Sequence, residues 1–353
     1  MVEYSREDTN QMKGIALLLL LFHHLFYIRN GLFTEFQVGE TELISFIAWL
    51  CRVCVGIFVF FSGYGLYKSQ VGKSTGLKSF YLKGFSKLYL NYWLMWVLFV
   101  PVGIFCFDRT LTEVYGTHVF PDLIINILGI QHMFGFWGYN PTWWFMTCIL
   151  ILYFIFPLLK VLVDKFDWIL LFLLLAFSLC TVIISFGFIQ FYSPIEDYLF
   201  TFVFGIFWAK NKMFARIKEN EICSPSLKMI LLFLLLIVFI WLRTFLGGNS
   251  TILTDGPITV LLAQLLFQAR SQSKVLVFLG RHSFNIFLFH TFICSFYFEK
   301  YIYWFKNPFL IWVVLILTCC FISLLIEKLK EWAGYYKLQK KILEYNGKRD
   351  LFF

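Results

Sequence analysis

Residues 13–24 read KGIALLLLLFHH, an uninterrupted apolar run with a lysine at one end and two adjacent histidines at the other. In an α-helix these eleven steps, at about 100° each, come to roughly 20° more than three full turns, so Lys13 and His24 share one helix face. Their separation along the axis is about 16 Å, half of a hydrocarbon core that is about 30 Å thick. The stretch therefore predicts a membrane-spanning helix with a titratable ring near its middle, where ionisable groups are usually functional.

The composition extends this prediction to the whole chain of 353 residues. Hydrophobic residues make up 60% of the chain, aromatic residues 22% and charged residues only 14%, whereas soluble domains have about 25% charged residues. We therefore predict an all-α fold, a polytopic membrane helix bundle that forms a single transmembrane domain over residues 1–353.

The apolar segments predict about ten transmembrane helices, and the basic residues predict their orientation. Most of the 30 Lys and Arg residues fall in alternate connecting segments, among them 67–87, 210–228 and 327–353. The positive-inside rule then places both termini in the cytoplasm, with 327–353 as an interfacial tail. The net charge of +9 thus reflects topology rather than nucleic-acid binding. The predicted spans lie near residues 13–29, 42–66, 88–107, 143–160, 168–190, 195–209, 228–246, 252–269, 275–298 and 308–326.

The histidine pair admits a structural and a functional interpretation. Intramembrane histidines often bond to carbonyls or hydroxyls of neighbouring helices. An adjacent pair, one member in phase with Lys13, favours a catalytic role for His24 with Lys13 as its partner. Haem ligation would require a second pair on a facing helix, and His290 has no such neighbour. We expect no metal site, and we expect the nine cysteines to pack as small apolar side chains.

Arg52 lies about ten residues into the second predicted span. A guanidinium at that depth needs an acidic or carbonyl partner, or a water-filled cavity. Two interpretations remain open from the sequence, an acceptor-binding arginine and a structurally paired charge.

Three further basic residues are predicted to lie on the same side of the membrane as Lys13. Lys83 and Lys87 are one turn apart at the start of the third span, and Arg281 opens the ninth within LGRHS, residues 279–283. Together with Lys13 they are suited to holding phosphates, and arginine can do so with two hydrogen bonds. The positive-inside rule and anionic lipid headgroups explain the same lysines equally well.

The longest predicted extracytoplasmic segment, 108–142, combines acidic and aromatic side chains and runs into Trp143 and Trp144. Aromatic rings stack on the CH faces of sugars while carboxylates accept from the hydroxyls, so this composition suits carbohydrate. A belt of aromatic residues at the membrane interface is the alternative explanation.

Several of these stretches together, in this order and spacing, resemble the acyltransferase family 3 membrane proteins, which O-acylate extracytoplasmic glycans. In that family an arginine and a histidine separated by ten residues are considered essential, and here Lys13 and His24 occupy those positions. Lysine retains the charge but lacks the planar fork of arginine. The stretches are residues 13–24, VGIFVFFSG at 55–63, Lys83 to Lys87, WWF at 143–145 with Tyr153 and Pro157, and 279–290.

The resemblance implies a membrane O-acyltransferase, an O-acetyltransferase of surface polysaccharide that uses acetyl-CoA and lies in the bacterial cytoplasmic membrane. The implied acceptor is a capsule, an exopolysaccharide or a lipid-linked oligosaccharide. His24 and Lys13 would be catalytic. The donor would be held by Lys13, Lys83, Lys87 and Arg281, and the acceptor would be contacted by Arg52, His23, Trp143, Trp144 and His290. The alternative function is a transporter or flippase of a polar or lipid-linked solute, with the intramembrane charges lining its path.

Overall fold

The computed structural model describes residues 3–29, 31–72, 76–183, 195–247 and 251–347, and it is almost entirely α-helical, which confirms the predicted fold class. The described helices are α1 (Arg6–Phe26), α2 (Leu43–Leu50), α3 (Cys54–Gln70), α4 (Leu77–Cys106), α5 (Leu111–Tyr115), α6 (Val119–Ile127), α7 (Trp144–Phe166), α8 (Trp168–Ile183), α9 (Ile195–Lys210), α10 (Met213–Glu219), α11 (Pro225–Leu246), α12 (Thr251–Gln268), α13 (Lys274–Thr291), α14 (Glu299–Ile302), α15 (Pro308–Trp332) and α16 (Tyr335–Gly347).

Seven helical segments in the described part of the chain are long and apolar enough to cross a membrane. Each of them overlaps one of the predicted spans, although the helix Leu77–Cys106 begins well before the predicted start at residue 88. The other three predicted spans, near 13–29, 168–190 and 195–209, overlap α1, α8 and α9, which are helical without meeting the same criteria of length and hydropathy. Residues 184–190 of the predicted span 168–190 lie outside the described residues. The count of ten and the cytoplasmic termini therefore stay predictions. The seven segments are Leu43–Gln70, Leu77–Cys106, Pro141–Phe166, Pro225–Leu246, Thr251–Gln268, Lys274–Tyr297 and Pro308–Trp332.

The Glu35 carboxylate binds the connection between α1 and α2 to the start of α2. This connection contains a short hairpin of β1 (Gln37–Val38) and β2 (Thr41–Glu42). Glu35 accepts hydrogen bonds from the backbone N–H groups of Ile44 and Ser45, at 2.6 and 3.2 Å, in the first turn of α2. These N–H groups have no partner within the helix. Partial burial alone would raise the pKa of Glu35, but the hydrogen bonds lower it below its usual value.

The chain divides into two compact units. The first unit comprises Met1–Val71, Leu158–Gln190 and Ile195–Ser283. The second comprises the described residues within Gly72–Pro157 and Phe284–Phe353. Helices α7 and α13 each contribute to both units, and the single domain over 1–353 stays a prediction.

Glycines allow the helices of the first unit to approach one another at backbone distance. A Cβ atom added to Gly63 of α3 would lie 2.3 Å from the carbonyl oxygen of Phe202 in α9. A Cβ added to Gly205 of α9 would lie 2.2 Å from the carbonyl oxygen of Phe60. Small residues on facing helices are a common basis of membrane helix packing, because they permit extensive van der Waals contact without a side chain in the way.

Two sets of side-chain hydrogen bonds fix the first half of α1. A reciprocal capping box starts the helix, with Asp8 N–H donating to Ser5 Oγ at 3.1 Å and Ser5 N–H donating to Asp8 Oδ2 at 2.8 Å. The buried amide of Gln11 then binds the chain just before α13, donating to the Ser271 carbonyl and accepting from Ser273 N–H, both at 2.7 Å. Position and orientation of α1 are therefore set before its apolar run begins.

In the second unit, Asn126 at the end of α6 is the centre of a buried hydrogen-bond network. Its Oδ1 accepts from the Tyr115 hydroxyl at 2.6 Å and from the Tyr139 N–H at 2.9 Å, and its Nδ2 donates to Tyr92 Oη at 3.2 Å. The side chain is fully buried. This carboxamide therefore ties parts of the connection between α4 and α7 to one another and to Tyr92 of α4.

Replacement of Asn126 with alanine is expected to lower the free energy of unfolding by about 2 kcal/mol or more, because two buried donors lose their acceptor. The matched control is Asn307→Ala, which removes the exposed cap of α15, where Oδ1 accepts from Leu310 N–H at 3.1 Å. Loss of such a cap costs about 1 kcal/mol. Denaturant unfolding in detergent micelles measures both, and equal destabilisation by the two variants would contradict the central role of Asn126.

Candidate functional site

Helix α1 carries the residues that the sequence analysis placed at the centre of the site. Residues 13–24 are helical throughout, so Lys13 and His24 lie on one face as predicted. Lys13, His23 and His24 are all half-buried, and both histidines are in the last turn of the helix. All three belong to the first unit.

The ring of His23 is held by a backbone carbonyl. Its Nδ1 lies 2.8 Å from the Ala48 oxygen, and a carbonyl only accepts hydrogen bonds, so Nδ1 carries the hydrogen and Nε2 of the neutral ring carries the lone pair. Ala48 lies in the second half of α2, close to its end at Leu50. The same ring stacks on Tyr27 at 4.9 Å and lies 5.1 Å from the ring of His24.

Arg52 lies where the second predicted span is interrupted. A turn of 3₁₀-helix, Cys51–Val53, separates α2 from α3 and contains Arg52, whose side chain is half-buried. The guanidinium interacts electrostatically with the His23 ring and with the carboxyl groups of Asp197 and Asp255. Asp197 of α9 and Asp255 of α12 are thus within electrostatic range of this guanidinium.

A buried ion pair adjoins Arg52. Arg243 near the end of α11 donates from Nη1 to Asp255 Oδ1 and, at 3.1 Å, to Thr254 Oγ1, both in α12. The side chains of Arg243 and Asp255 are 2% and 0% exposed, so both charges are removed from solvent. Arg243 also lies 5.7 Å from the centre of the Trp49 ring and interacts electrostatically with His23. This pair was not predicted from the sequence.

The basic residues that were predicted to hold phosphates are divided between the two units. Lys13 and Arg281 belong to the first unit, where α1 and the start of α13 touch at backbone distance, and Arg281 is exposed with its Nη2 3.8 Å from Glu7 Oε1. Lys83 and Lys87 are exposed on α4 of the second unit. Within the described residues, no group of three or more His, Cys, Asp and Glu side chains has a metal-binding arrangement.

The aromatic candidates lie in the second unit and differ in exposure. Trp143 is fully buried and its Nε1 donates to the Leu288 carbonyl at 2.8 Å. His290 is also fully buried, and its Nδ1 bonds to carbonyls one turn earlier in α13. Trp144 is half-buried, and its ring belongs to an aromatic group that is more accessible than the Trp143 side chain.

That accessible group, the outer aromatic cluster, consists of His132, Trp137 and Trp144. The His132 ring lies 5.1 Å from the ring of Trp137 and 6.2 Å from that of Trp144. Trp137 is 56% exposed. Partial burial lowers the pKa of His132, so its ring is neutral at pH 7 and presents one donor and one acceptor beside the indoles.

Residues 7–328 match the family model Acyl_transf_3, which is described as an acyltransferase domain. The match includes α1, the interrupted α2–α3 segment, the buried ion pair and the outer aromatic cluster. No curated protein and no solved structure matches the chain significantly.

Proposed function

Because the chain belongs to acyltransferase family 3, we propose that this multi-pass membrane acyltransferase moves acetyl from cytoplasmic acetyl-CoA to a hydroxyl of an extracytoplasmic glycan. The observation that supports a catalytic centre is the pair of half-buried imidazoles at the end of α1, one of them held in a defined tautomer beside Arg52. The membrane in this proposal is the bacterial cytoplasmic membrane. The acceptor is capsule, exopolysaccharide or a lipid-linked repeat unit.

The proposed donor site uses cations to hold the phosphates of coenzyme A. Lys13 lies on α1 and Arg281 on α13, and the backbones of these two helices touch. Arg281 is exposed, and its Nη2 lies 3.8 Å from the exposed carboxylate of Glu7. A guanidinium can contact phosphate with two parallel hydrogen bonds, while Lys13 contributes a point charge. For Lys83 and Lys87 we retain the same assignment as a proposal made from the sequence.

The proposed chemistry needs a base, because a sugar hydroxyl is almost entirely un-ionised at neutral pH. His24 removes the hydroxyl proton as the oxygen attacks the thioester carbonyl, so that a C–O bond forms and the C–S bond breaks. The imidazolium then returns the proton to the departing thiolate. Arg52 is suited to stabilising the negative charge that develops on the carbonyl oxygen.

Within the second unit, we propose that Trp144 and the outer aromatic cluster form a stacking surface for the sugar rings of the acceptor. Exposure of Trp137 and the neutral ring of His132 support this assignment. Trp143 and His290 are fully buried, so we propose that they support the acceptor site without an exposed face of their own. For Arg52 and His23, in the first unit, we retain the acceptor assignment as a proposal made from the sequence.

Loss of the charge at Lys13 is expected to weaken donor binding. In Lys13→Gln we expect KM for acetyl-CoA to rise about tenfold or more, because a hydrogen bond to a charged group contributes about 1.5–3 kcal/mol. Lys13→Arg keeps the charge and is the matched control. Steady-state assays with labelled acetyl-CoA measure the constants, and an unchanged KM in Lys13→Gln would remove Lys13 from the donor site.

The proposed function itself is tested by mass spectrometry of surface polysaccharide from cells with and without the gene for this chain. We expect O-acetyl groups that are present only when the protein is present and that carry label from acetyl-CoA. A transporter or flippase would instead change the amount or location of the glycan without adding acetyl. Unmodified polysaccharide in both cell lines would overturn the proposal.

A further inference from the structure

The buried ion pair of α11 and α12 contacts both sides of the break between α2 and α3. Before the break, Arg243 lies 5.7 Å from the centre of the Trp49 ring. After the break, Asp255 packs directly on Gly56, where an added Cβ would lie 2.4 Å from Asp255 Cβ and 2.6 Å from Oδ2. Arg243 and Asp255 therefore contact residues before and after the 3₁₀ turn Cys51–Val53, although both lie in other helices.

The 3₁₀ turn lies inside the helical segment Leu43–Gln70, and one local contact accompanies it, since Cys54 Sγ donates to the Arg52 carbonyl at 3.7 Å. Residues 51–53 read CRV and include neither proline nor glycine, the usual causes of a helix break. The contacts at Trp49 and Gly56 supply a tertiary cause, because they fix the ends of α2 and α3 separately. The Ala48 carbonyl that binds His23 is one residue from Trp49, so the contact between Arg243 and the Trp49 ring lies next to the acceptor of the His23 hydrogen bond.

The charges of the pair also reach the same groups. Arg243 interacts electrostatically with His23, and Asp255 interacts with Arg52. Replacing a buried pair by neutral side chains of similar size is often tolerated, whereas removing one partner leaves an uncompensated charge. The pair is thus separable by mutation into a packing role and an electrostatic role.

We infer that Arg243 and Asp255 are positioning residues for the proposed acyl transfer, fixing the 3₁₀ turn so that Ala48 holds His23 in its Nδ1–H tautomer and Arg52 stays beside it. Neither residue touches the reacting atoms. The inference rests on the proposed function for its catalytic readout alone, because the tautomer of His23 can be observed without turnover.

The test compares the wild-type full-length chain with Arg243→Gln/Asp255→Asn, in which both charges are replaced by neutral amides. The matched control is Lys160→Gln/Asp164→Asn, which neutralises an accessible pair in α7 with an N–O distance of 2.7 Å. Histidines labelled with ¹⁵N report their tautomers by NMR in detergent, and loss of one signal in His23→Gln assigns His23 among the six histidines.

In the double-amide variant we expect normal accumulation, loss of the pure Nδ1–H tautomer at His23, and a fall in kcat of about 100-fold with KM for acetyl-CoA unchanged, as misplacement of a catalytic group by about 1 Å produces. The control pair should change none of these. An unchanged His23 tautomer together with wild-type kcat would overturn the inference and leave the pair purely structural.

A second variant keeps the test decisive if the double-amide protein does not accumulate. Trp49→Leu removes the ring beside Arg243 and leaves both charges in place, and we expect a partial loss of the same tautomer and a smaller fall in kcat. Unchanged values would again overturn the inference. If the wild-type protein transfers no acetyl, the proposed function fails, while the NMR comparison still decides whether the pair positions His23.

Discussion

Acyl transfer is expected to fall by about 10²–10⁴-fold when His24 is replaced with alanine, because the sugar hydroxyl then loses the group proposed to take its proton. His24 is half-buried in the last turn of α1, beyond the residues that dock this helix on α13. The variant should therefore accumulate and insert like the wild-type protein. O-acetyl groups on the surface polysaccharide, normalised to the amount of protein in the membrane, measure the effect.

Two further histidine variants sharpen this experiment. His118→Ala changes an exposed residue in the connection between α4 and α7 and should leave transfer unchanged. His23→Ala removes the ring that Ala48 holds, and its effect is expected to be smaller than that of His24→Ala. If transfer survives in His24→Ala and is lost in His23→Ala, the base is His23 and the role proposed for His24 is wrong.

The largest effect on stability is expected from Gly280→Ala in α13. A Cβ atom at this position would lie 1.8 Å from the carbonyl oxygen of Asn10 in α1 and 2.6 Å from its carbonyl carbon. Both are backbone atoms, so α1 itself has to shift. Overpacking typically costs about 1–3 kcal/mol when side chains can adjust, and here we expect about 3 kcal/mol or more.

Gly65→Ala is the matched control for this prediction. Gly65 lies in α3, is exposed and has nothing within 4 Å of an added Cβ. Alanine favours an exposed helix over glycine by about 1 kcal/mol, so this variant should be as stable as the wild-type protein or more so. Thermal unfolding in detergent measures both, and equal stability of the two variants would show that α1 and α13 are not in backbone contact.

Much of the helical architecture could be predicted from the sequence, because apolar runs about 20 residues long have few alternatives in lipid. The shared face of Lys13 and His24 follows from helix geometry alone. The interruption at Cys51–Val53 could not be predicted in this way, since these residues favour no break and the cause lies in α11 and α12. Local patterns do not contain that information.

The candidate site was predicted unevenly for the same reason. His23, His24 and Arg52 were identified because a polar residue inside an apolar run can be recognised from the sequence alone. Arg243 and Asp255 carry the same signal, as single charges within two apolar segments, but their significance depends on pairing across two helices. Asn126 gave no signal, because a buried carboxamide is recognised only by the three partners that fold around it.

We propose that an imidazole at the end of α1 joins an acyl donor from one side of the membrane to an acceptor on the other. Sealed vesicles that contain the purified protein and surface polysaccharide in the lumen, with isotope-labelled acetyl-CoA added only outside, test it most directly. We predict labelled acetyl esters on the luminal polysaccharide together with release of free coenzyme A outside, and neither with His24→Ala. Equal labelling by wild-type protein and His24→Ala, or hydrolysis of acetyl-CoA without any luminal ester, would contradict the claim.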